Sequence, residues 1–323
     1  MVSFDDSNLP RYEELPGPNG LPDAPRETSW GVFGDRYQLG TLNFLTPERV
    51  KAAAGLVRTG KRINLNLPLN HPPRANVQEG SSRDGYTHRH EVMPGDGYAR
   101  DEVLDHFNPQ ASSQWDGLAH VFHPRYKNYN GVADTGVRPG DESLLSIGNW
   151  TKNGGIVCRG VLLDIPRYAA AAGIAYRPTS TFVITPEILE ACAAWAKVEI
   201  KHGDVLIIRT GVLQDMLENP TAVRRDGRPG LGPARPIAAF LWNNHIVGAA
   251  SDNGGLEVSP RGEGRSLHMA MLPMLGMPMG ELWALDELAE DCASDGVYEF
   301  MLVSVPMYLP GGIGSPPNAV AIK

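Results

Sequence analysis

The chain has 323 residues, a net charge of −8 and 42% hydrophobic residues. That length buries a full core without a disulfide or metal staple, and 20% charged residues fit a globular chain, not a disordered one. An acidic chain with no basic cluster argues against nucleic acid and anionic membrane as partners. The 36 glycines and 27 prolines imply many turns, not a helical bundle.

The N-terminal stretch is acidic and proline-rich, with neither the basic nor the apolar segment of a signal peptide. No apolar run reaches the roughly 18–20 residues that span a bilayer. Cys158, Cys192 and Cys292 lie far apart without a CxxC pair and read as reduced, mostly buried thiols. A cytoplasmic location is expected. Residues 1–28 read as an extended arm and residues 29–323 as one domain.

Thr46-Pro47-Glu48 opens a helix: threonine caps, proline suits the first turn, and glutamate meets the positive end of the dipole. That helix is expected to run to about Gly60. RINLNLPL follows, with Ile63, Leu65 and Leu67 alternating against polar residues, the pattern of a half-buried strand. Residues 70–112 read as loop and carry four histidines. His88-Arg89-His90 places two imidazoles on one strand face and, with His106, can bind a metal; solvated loop histidines account for the same residues.

Beyond residue 155, the apolar runs 156–165, 205–209, 246–251 and 297–305 read as strands. Helices are expected at Thr185-Pro186-Glu187 onward, over 234–244, and over ELWALDELAEDC from Glu281. Strands alternating with helices imply an α/β fold with a mixed sheet. Neither a dinucleotide fingerprint nor a P-loop is present, so no organic cofactor is indicated.

The densest polar cluster runs from Gln110 through Ser112, Ser113, Gln114, Trp115 and Asp116 to His120. Asp116 can ligate a cation or orient a base, and His120 suits proton transfer near neutral pH. A polar turn with a structural Asp–His hydrogen bond explains the spacing too. His268 precedes an apolar, methionine-rich run that reads as core, and Glu281 can simply open a helix. Asp252-Asn253-Gly-Gly and Glu257 follow a strand, where function and turn chemistry are both at home.

These blocks resemble the cyclase family of metal-dependent hydrolases, which includes bacterial kynurenine formamidase and isatin hydrolase. In order they are Trp30-Gly31, LGTLNFLTPE (39–48), SSQWDGLAH (112–120), Tyr129-Asn130-Gly131, RGVLLD (159–164), RTG (209–211), LHMAMLPMLGMPMGEL (267–282) and GGIGSPPNAVAI (311–322). The family hallmark H-x-G-T-H-x-D-x-P-x-H falls on Gln110 to His120, with glutamine at both ligand-histidine positions. The resemblance implies Asp116, His268 and Glu281 as metal residues, and His120 with Glu281 as catalytic residues. It also implies a swivelling β/β/α fold, a homodimer or larger homo-oligomer, and Trp30 at the pocket of a ring-containing substrate.

Because glutamine binds zinc or manganese far more weakly than imidazole, one divalent ion (Zn or Mn) is expected instead of two. Gln110, Ser113, Gln114 and Trp115 then contact substrate. The expected activity is hydrolysis of a C–N bond in an amide or cyclic amide, with an ester or lactone as a close variant. The alternatives are a metal-free cyclase or lyase, using the Asp116–His120 pair with Gln110 and Gln114 as oxyanion donors, and a binding protein that kept the pocket.

Overall fold

The computed structural model describes residues 4–69, 83, 86–92, 99–219 and 227–323. Among the described residues, thirteen strands are present: β1 (Arg62–Asn64), β2 (Thr87–Val92), β3 (Arg100–Asp105), β4 (Gln114–Asp116), β5 (Ile156–Asp164), β6 (Val183–Ile184), β7 (Val205–Arg209), β8 (Gly230–Leu231), β9 (Gly248–Ser251), β10 (Met279–Glu281), β11 (Glu299–Ser304), β12 (Gly314–Ser315) and β13 (Ala319–Ile322). Nine of them form one sheet in the order β1-β13-β11-β5-β7-β9-β10-β4-β12.

The middle of that sheet is parallel, running β5, β7, β9 and β10, and both flanks are antiparallel. The parallel strands are buried along their length. That is why they read as continuous apolar runs instead of alternating ones. Helices Pro186–Trp195 and Ala234–Asn243 lie on the crossovers between them. The result is the mixed α/β architecture implied by the family resemblance: a large curled sheet surrounded by helices. Among the described residues, no helix is long and apolar enough to cross a membrane. All three cysteines are free and buried.

Local chemistry explains most element boundaries. Thr46 caps the Pro47–Ala54 helix by accepting from the Arg49 amide. The helix stops at Ala54, short of the expected Gly60. Thr185 occupies the equivalent position ahead of Pro186–Trp195 but makes no capping hydrogen bond. In β1 the alternation places Ile63 and the following Leu65 fully inside.

Two further expectations change. Part of the 70–112 region expected as loop forms the β2–β3 hairpin, whose register pairs Thr87 with Asp105 and Val92 with Arg100. β2 is exposed on both faces, so it carries no polar–apolar alternation by which to recognise it. His71 lies outside the described residues. The helix expected from Glu281 starts only at Asp286; residues 279–281 are instead the strand β10, paired on both sides. Strand pairing there overrides the helix propensity of the ELWALDELAEDC stretch.

The methionine-rich run is core, as expected: Met271, Met274, Met277 and Met279 are buried. Residues Ala270–Leu275 form a π-helical turn containing Pro273, which cannot donate a regular helical hydrogen bond. The LGTLNF block docks against the end of this turn. The Thr41 amide donates to the Gly276 carbonyl at 2.9 Å, and its hydroxyl donates to the Val247 carbonyl at 2.6 Å.

Gly40 makes this approach possible. Its φ is +53°, and an added Cβ would lie 1.9 Å from the Gly276 carbonyl oxygen. Backbone strain of about 1–3 kcal/mol and overpacking of a similar size both apply. Gly40→Ala is therefore expected to destabilise the protein by at least about 2 kcal/mol, measured as a lowered urea midpoint; an unchanged midpoint would contradict this account of the close approach.

Candidate metal centre

The site is assembled at the antiparallel pair β4–β10. The register sets Asp116 opposite Met279, Trp115 opposite Gly280, and Gln114 opposite Glu281. Side chains alternate across a strand, so Gln114 and Asp116 point to one face and Trp115 to the other. Glu281 joins them from β10. His268 arrives from the short Leu267–Met269 helix, which Ser266 caps by accepting from the Met269 amide.

Asp116, His268 and Glu281 offer one ligand atom each within 4.8 Å of one another. His268 Nε2 is 3.0 Å from Glu281 Oε1 and 3.8 Å from Asp116 Oδ2. Its other ring nitrogen, Nδ1, is 3.1 Å from Glu257 Oε1, while Glu257 Oε2 accepts from the Leu267 amide at 2.8 Å. Glu257 therefore sets the orientation of the imidazole from behind, as an outer carboxylate does in a carboxylate–histidine–metal arrangement. Glu257 was legible only as a residue of the loop after β9, with no signal marking it as a partner of His268.

The two glutamines sit inside the cluster. Gln114 Nε2 donates to Asp116 Oδ1 at 3.1 Å and to Glu281 Oε2 at 2.9 Å. Gln110 Nε2 donates to Asp116 Oδ1 at 2.6 Å and lies 3.0 Å from His120 Nδ1. Both amide N–H donors of each glutamine are thus engaged. His120 Nε2 faces Asp116 Oδ1 at 3.7 Å.

Electrostatics follow from burial and like charge. Burial, and then the Glu281 carboxylate, push the Asp116 pKa well above the usual carboxylate range. Burial drives His120 down to about 4, so its ring is neutral at pH 7. Burial also opposes charge on His268, but hydrogen bonds to Glu257 and Glu281 and the nearby carboxylates outweigh it, raising its pKa to about 10. Burial tends to raise Glu257, but the His268 and Leu267 hydrogen bonds prevail and lower it.

Two buried oxygens here have no hydrogen-bond partner: Asp116 Oδ2 and Gln114 Oε1. An unsatisfied buried oxygen carries a real penalty. Two such oxygens beside a second carboxylate and an imidazole fit one divalent cation, held by Asp116, His268 and Glu281. The set is rich in oxygen, which suits a harder ion than a histidine cluster would.

Other sequence-predicted residues lie elsewhere. Trp115 is fully buried; its indole donates to Ser304 Oγ and its ring meets Trp283 edge-on at 4.9 Å. Ser113 donates to the Leu282 carbonyl and accepts from the Leu67 amide. Trp115, on the opposite side of β4 from Gln114 and Asp116, and Ser113, just before the strand, thus fasten this segment to the core. Trp30 is buried, donates to the Pro273 carbonyl at 2.8 Å, and meets Tyr126 edge-on at 6.5 Å. His88 and His90 share Glu102 on the exposed β2–β3 hairpin. Asp252 accepts from both amide and hydroxyl of Thr210 and from the Gly211 amide, which ties the RTG turn to the end of β9.

Comparison with known proteins gives the same grouping. The Cyclase family model matches residues 63–258, more than half the chain. A crystal structure described as a novel cyclase is 33% identical, with a TM-score of 0.77, over 92% of this chain and 99% of that one. Isatin hydrolase A from Labrenzia aggregata, bound to benzyl benzoate, aligns at 16% identity and a TM-score of 0.53, over 83% of this chain and 94% of that one. An isatin hydrolase bound to the product analogue thioisatinate aligns at 15% identity and a TM-score of 0.52, over 86% and 98%. At such identities these two establish a shared fold. No functionally curated protein matches the chain. On the family match and the 33% identical relative, the chain belongs to the cyclase family.

Proposed function

We propose that this protein is a hydrolase that opens a C–N bond of a small, ring-containing amide or cyclic amide, with an ester or lactone as a close variant. The observation that carries the reading is the convergence of Asp116, His268 and Glu281, with Asp116 Oδ2 lacking a hydrogen-bond partner, beside a neutral histidine. The isatin hydrolase relatives, which share the fold, support the substrate class. One divalent ion, Zn or Mn, would be held by Asp116, His268 and Glu281 and would supply a positive centre that polarises the substrate carbonyl.

The chain's own groups do the proton work. A glutamine Nε2 can only donate, so Gln110 marks His120 Nδ1 as the acceptor and leaves the ring proton on Nε2, facing Asp116. When a water takes the place of Gln110 at Nδ1, His120 removes its proton. The Asp116 carboxylate beside Nε2 stabilises the resulting imidazolium, as the buried aspartate does in a catalytic triad. His120 then returns the proton to the leaving nitrogen. Gln110 stays bonded to Asp116 throughout.

A second reading has its own support. The glutamine N–H groups and His268 already satisfy three of the four carboxylate oxygens of Asp116 and Glu281. A metal-free cyclase or lyase would use the Asp116–His120 pair as its base, and Gln110 and Gln114 would have to turn N–H groups away from Asp116, Glu281 and His120 to donate to an oxyanion. The wider proposal is of a cytoplasmic homo-oligomer, akin to kynurenine formamidase, with residues 1–28 as an arm and 29–323 as the catalytic domain.

Elemental analysis of wild type beside Asp116→Asn after gentle purification separates the readings: one ion fewer per chain in the variant is expected, equal content would favour the metal-free reading, and a loss of two would contradict both. Glu257→Gln should weaken retention of that ion about 10–100-fold, the usual cost of losing an outer partner of a ligating histidine, read as metal lost to a competing chelator. Retention equal to wild type would remove Glu257 from the site. His120→Ala should lower kcat roughly 10²–10⁴-fold with little change in KM. His123 is the control: its Nδ1 accepts from the Arg125 and Tyr126 amides and its ring stacks on Tyr126 at 4.5 Å. His123→Ala should stay active; a dead His123→Ala beside an active His120→Ala would overturn the assignment.

A further inference from the structure

A second group of metal-type ligands lies away from β4 and β10. Asp6, His202 and His245 place one ligand atom each within 4.8 Å of one another. They come from three segments: Asp6 from the N-terminal stretch, His202 from the turn before β7, and His245 from the turn after helix Ala234–Asn243.

The two histidines are held together by their own backbones. The Gly203 amide donates to the His245 carbonyl at 3.0 Å, and the Val247 amide donates to the Asp204 carbonyl at 2.9 Å. Their ring centroids are 4.1 Å apart. Stacking on Phe44, at 5.3 Å and 26° between planes, fixes the plane of the His245 ring. The N-terminal stretch is brought to this place by two hydrogen bonds from the same helix: Trp242 Nε1 donates to the Pro10 carbonyl and Asn243 Oδ1 accepts from the Tyr12 amide, each at 2.9 Å.

The distances suit ligands of one ion. His245 Nδ1 and Asp6 Oδ2 are 3.3 Å apart, long for a charge-assisted hydrogen bond. Ligand atoms at the corners of a tetrahedron about 2.0–2.1 Å from zinc stand about 3.3 Å apart. Arg49 Nη2 binds Asp6 Oδ2 at 2.7 Å, the outer hydrogen bond that a ligating carboxylate ordinarily has. His202 is exposed, which leaves an entry path and a position for water.

We propose that Asp6, His202 and His245 form a binding site for one divalent transition-metal ion of the zinc type, which clips the N-terminal arm to the turns flanking β7 and β9. Two imidazoles and one carboxylate suit Zn, Ni or Co better than Mg or Ca. The site is separate from the Asp116 centre and stands whether or not that centre holds a metal.

The test is calorimetric titration of chelator-stripped full-length protein with Zn²⁺, comparing wild type with His202→Ala and with Asp6→Asn. Neither residue belongs to the Asp116 centre, and His202 is exposed, so both variants are expected to fold and to keep their activity. Wild type should take up one more equivalent of Zn²⁺ than either variant. Zn²⁺ should also slow tryptic cleavage after Arg11 several-fold in wild type alone. Equal Zn²⁺ uptake by wild type and either variant, or equal protection of the arm, would overturn the site.

Discussion

Everything at the candidate centre depends on one electrostatic constraint: two carboxylates, Asp116 and Glu281, face each other across adjacent strands in a buried place. Like charges at such separation are strongly unfavourable in a low-dielectric interior. The surrounding residues are the response. Two glutamine amides direct all of their N–H groups at the site, and His268 lies between the carboxylates. Asp116 Oδ2 still has no hydrogen-bond partner, with the His268 ring as its nearest cationic neighbour at 3.8 Å, and it is the oxygen at which the centre can take a further positive charge.

Positioning follows from the sheet. Register across β4 and β10 is set by backbone hydrogen bonds and by the inward side of β4, where Trp115 packs on Trp283. A slip of one residue would turn Gln114 and Asp116 onto the apolar side packed by Trp283 and Trp115 toward the carboxylate cluster, although both sides of β4 are buried. The core tryptophan therefore guarantees the polar face it does not itself touch. On the other side, Glu257 locks His268 through Nδ1, leaving Nε2 aimed at the centre. The buried Asp252 plays a comparable part for the RTG turn.

Glutamine at the two family histidine positions changes the chemistry without changing the scaffold. An imidazole at either place would offer a lone pair to a metal; an amide nitrogen offers only donors. The donors satisfy carboxylate oxygens and hold His120 Nδ1. The centre is consequently suited to fewer, harder ions than a histidine-rich one, and His120 is held by a neutral neighbour instead of by a second metal ligand.

The sequence by itself determined the elements whose pattern is local. The capped Pro47–Ala54 helix, the buried strands β5 and β7 and the helix Ala234–Asn243 were legible because capping, apolar runs and helical periodicity are short-range signals. The family blocks picked out Asp116, His120, His268 and Glu281. Only the tertiary structure decided the rest. Glu281, expected to open a helix, instead ends the strand β10 because two neighbours pair with that strand. Trp115 turns away from Gln114 and Asp116 because strand alternation divides a polar run that looks continuous in one dimension, and Ser113 is held by the Leu67 and Leu282 backbones. Glu257 becomes a partner of His268, and Asp6 of His202 and His245, because separate turns are brought within hydrogen-bond reach. Such contacts depend on three-dimensional closure, and one-dimensional spacing carries no record of it.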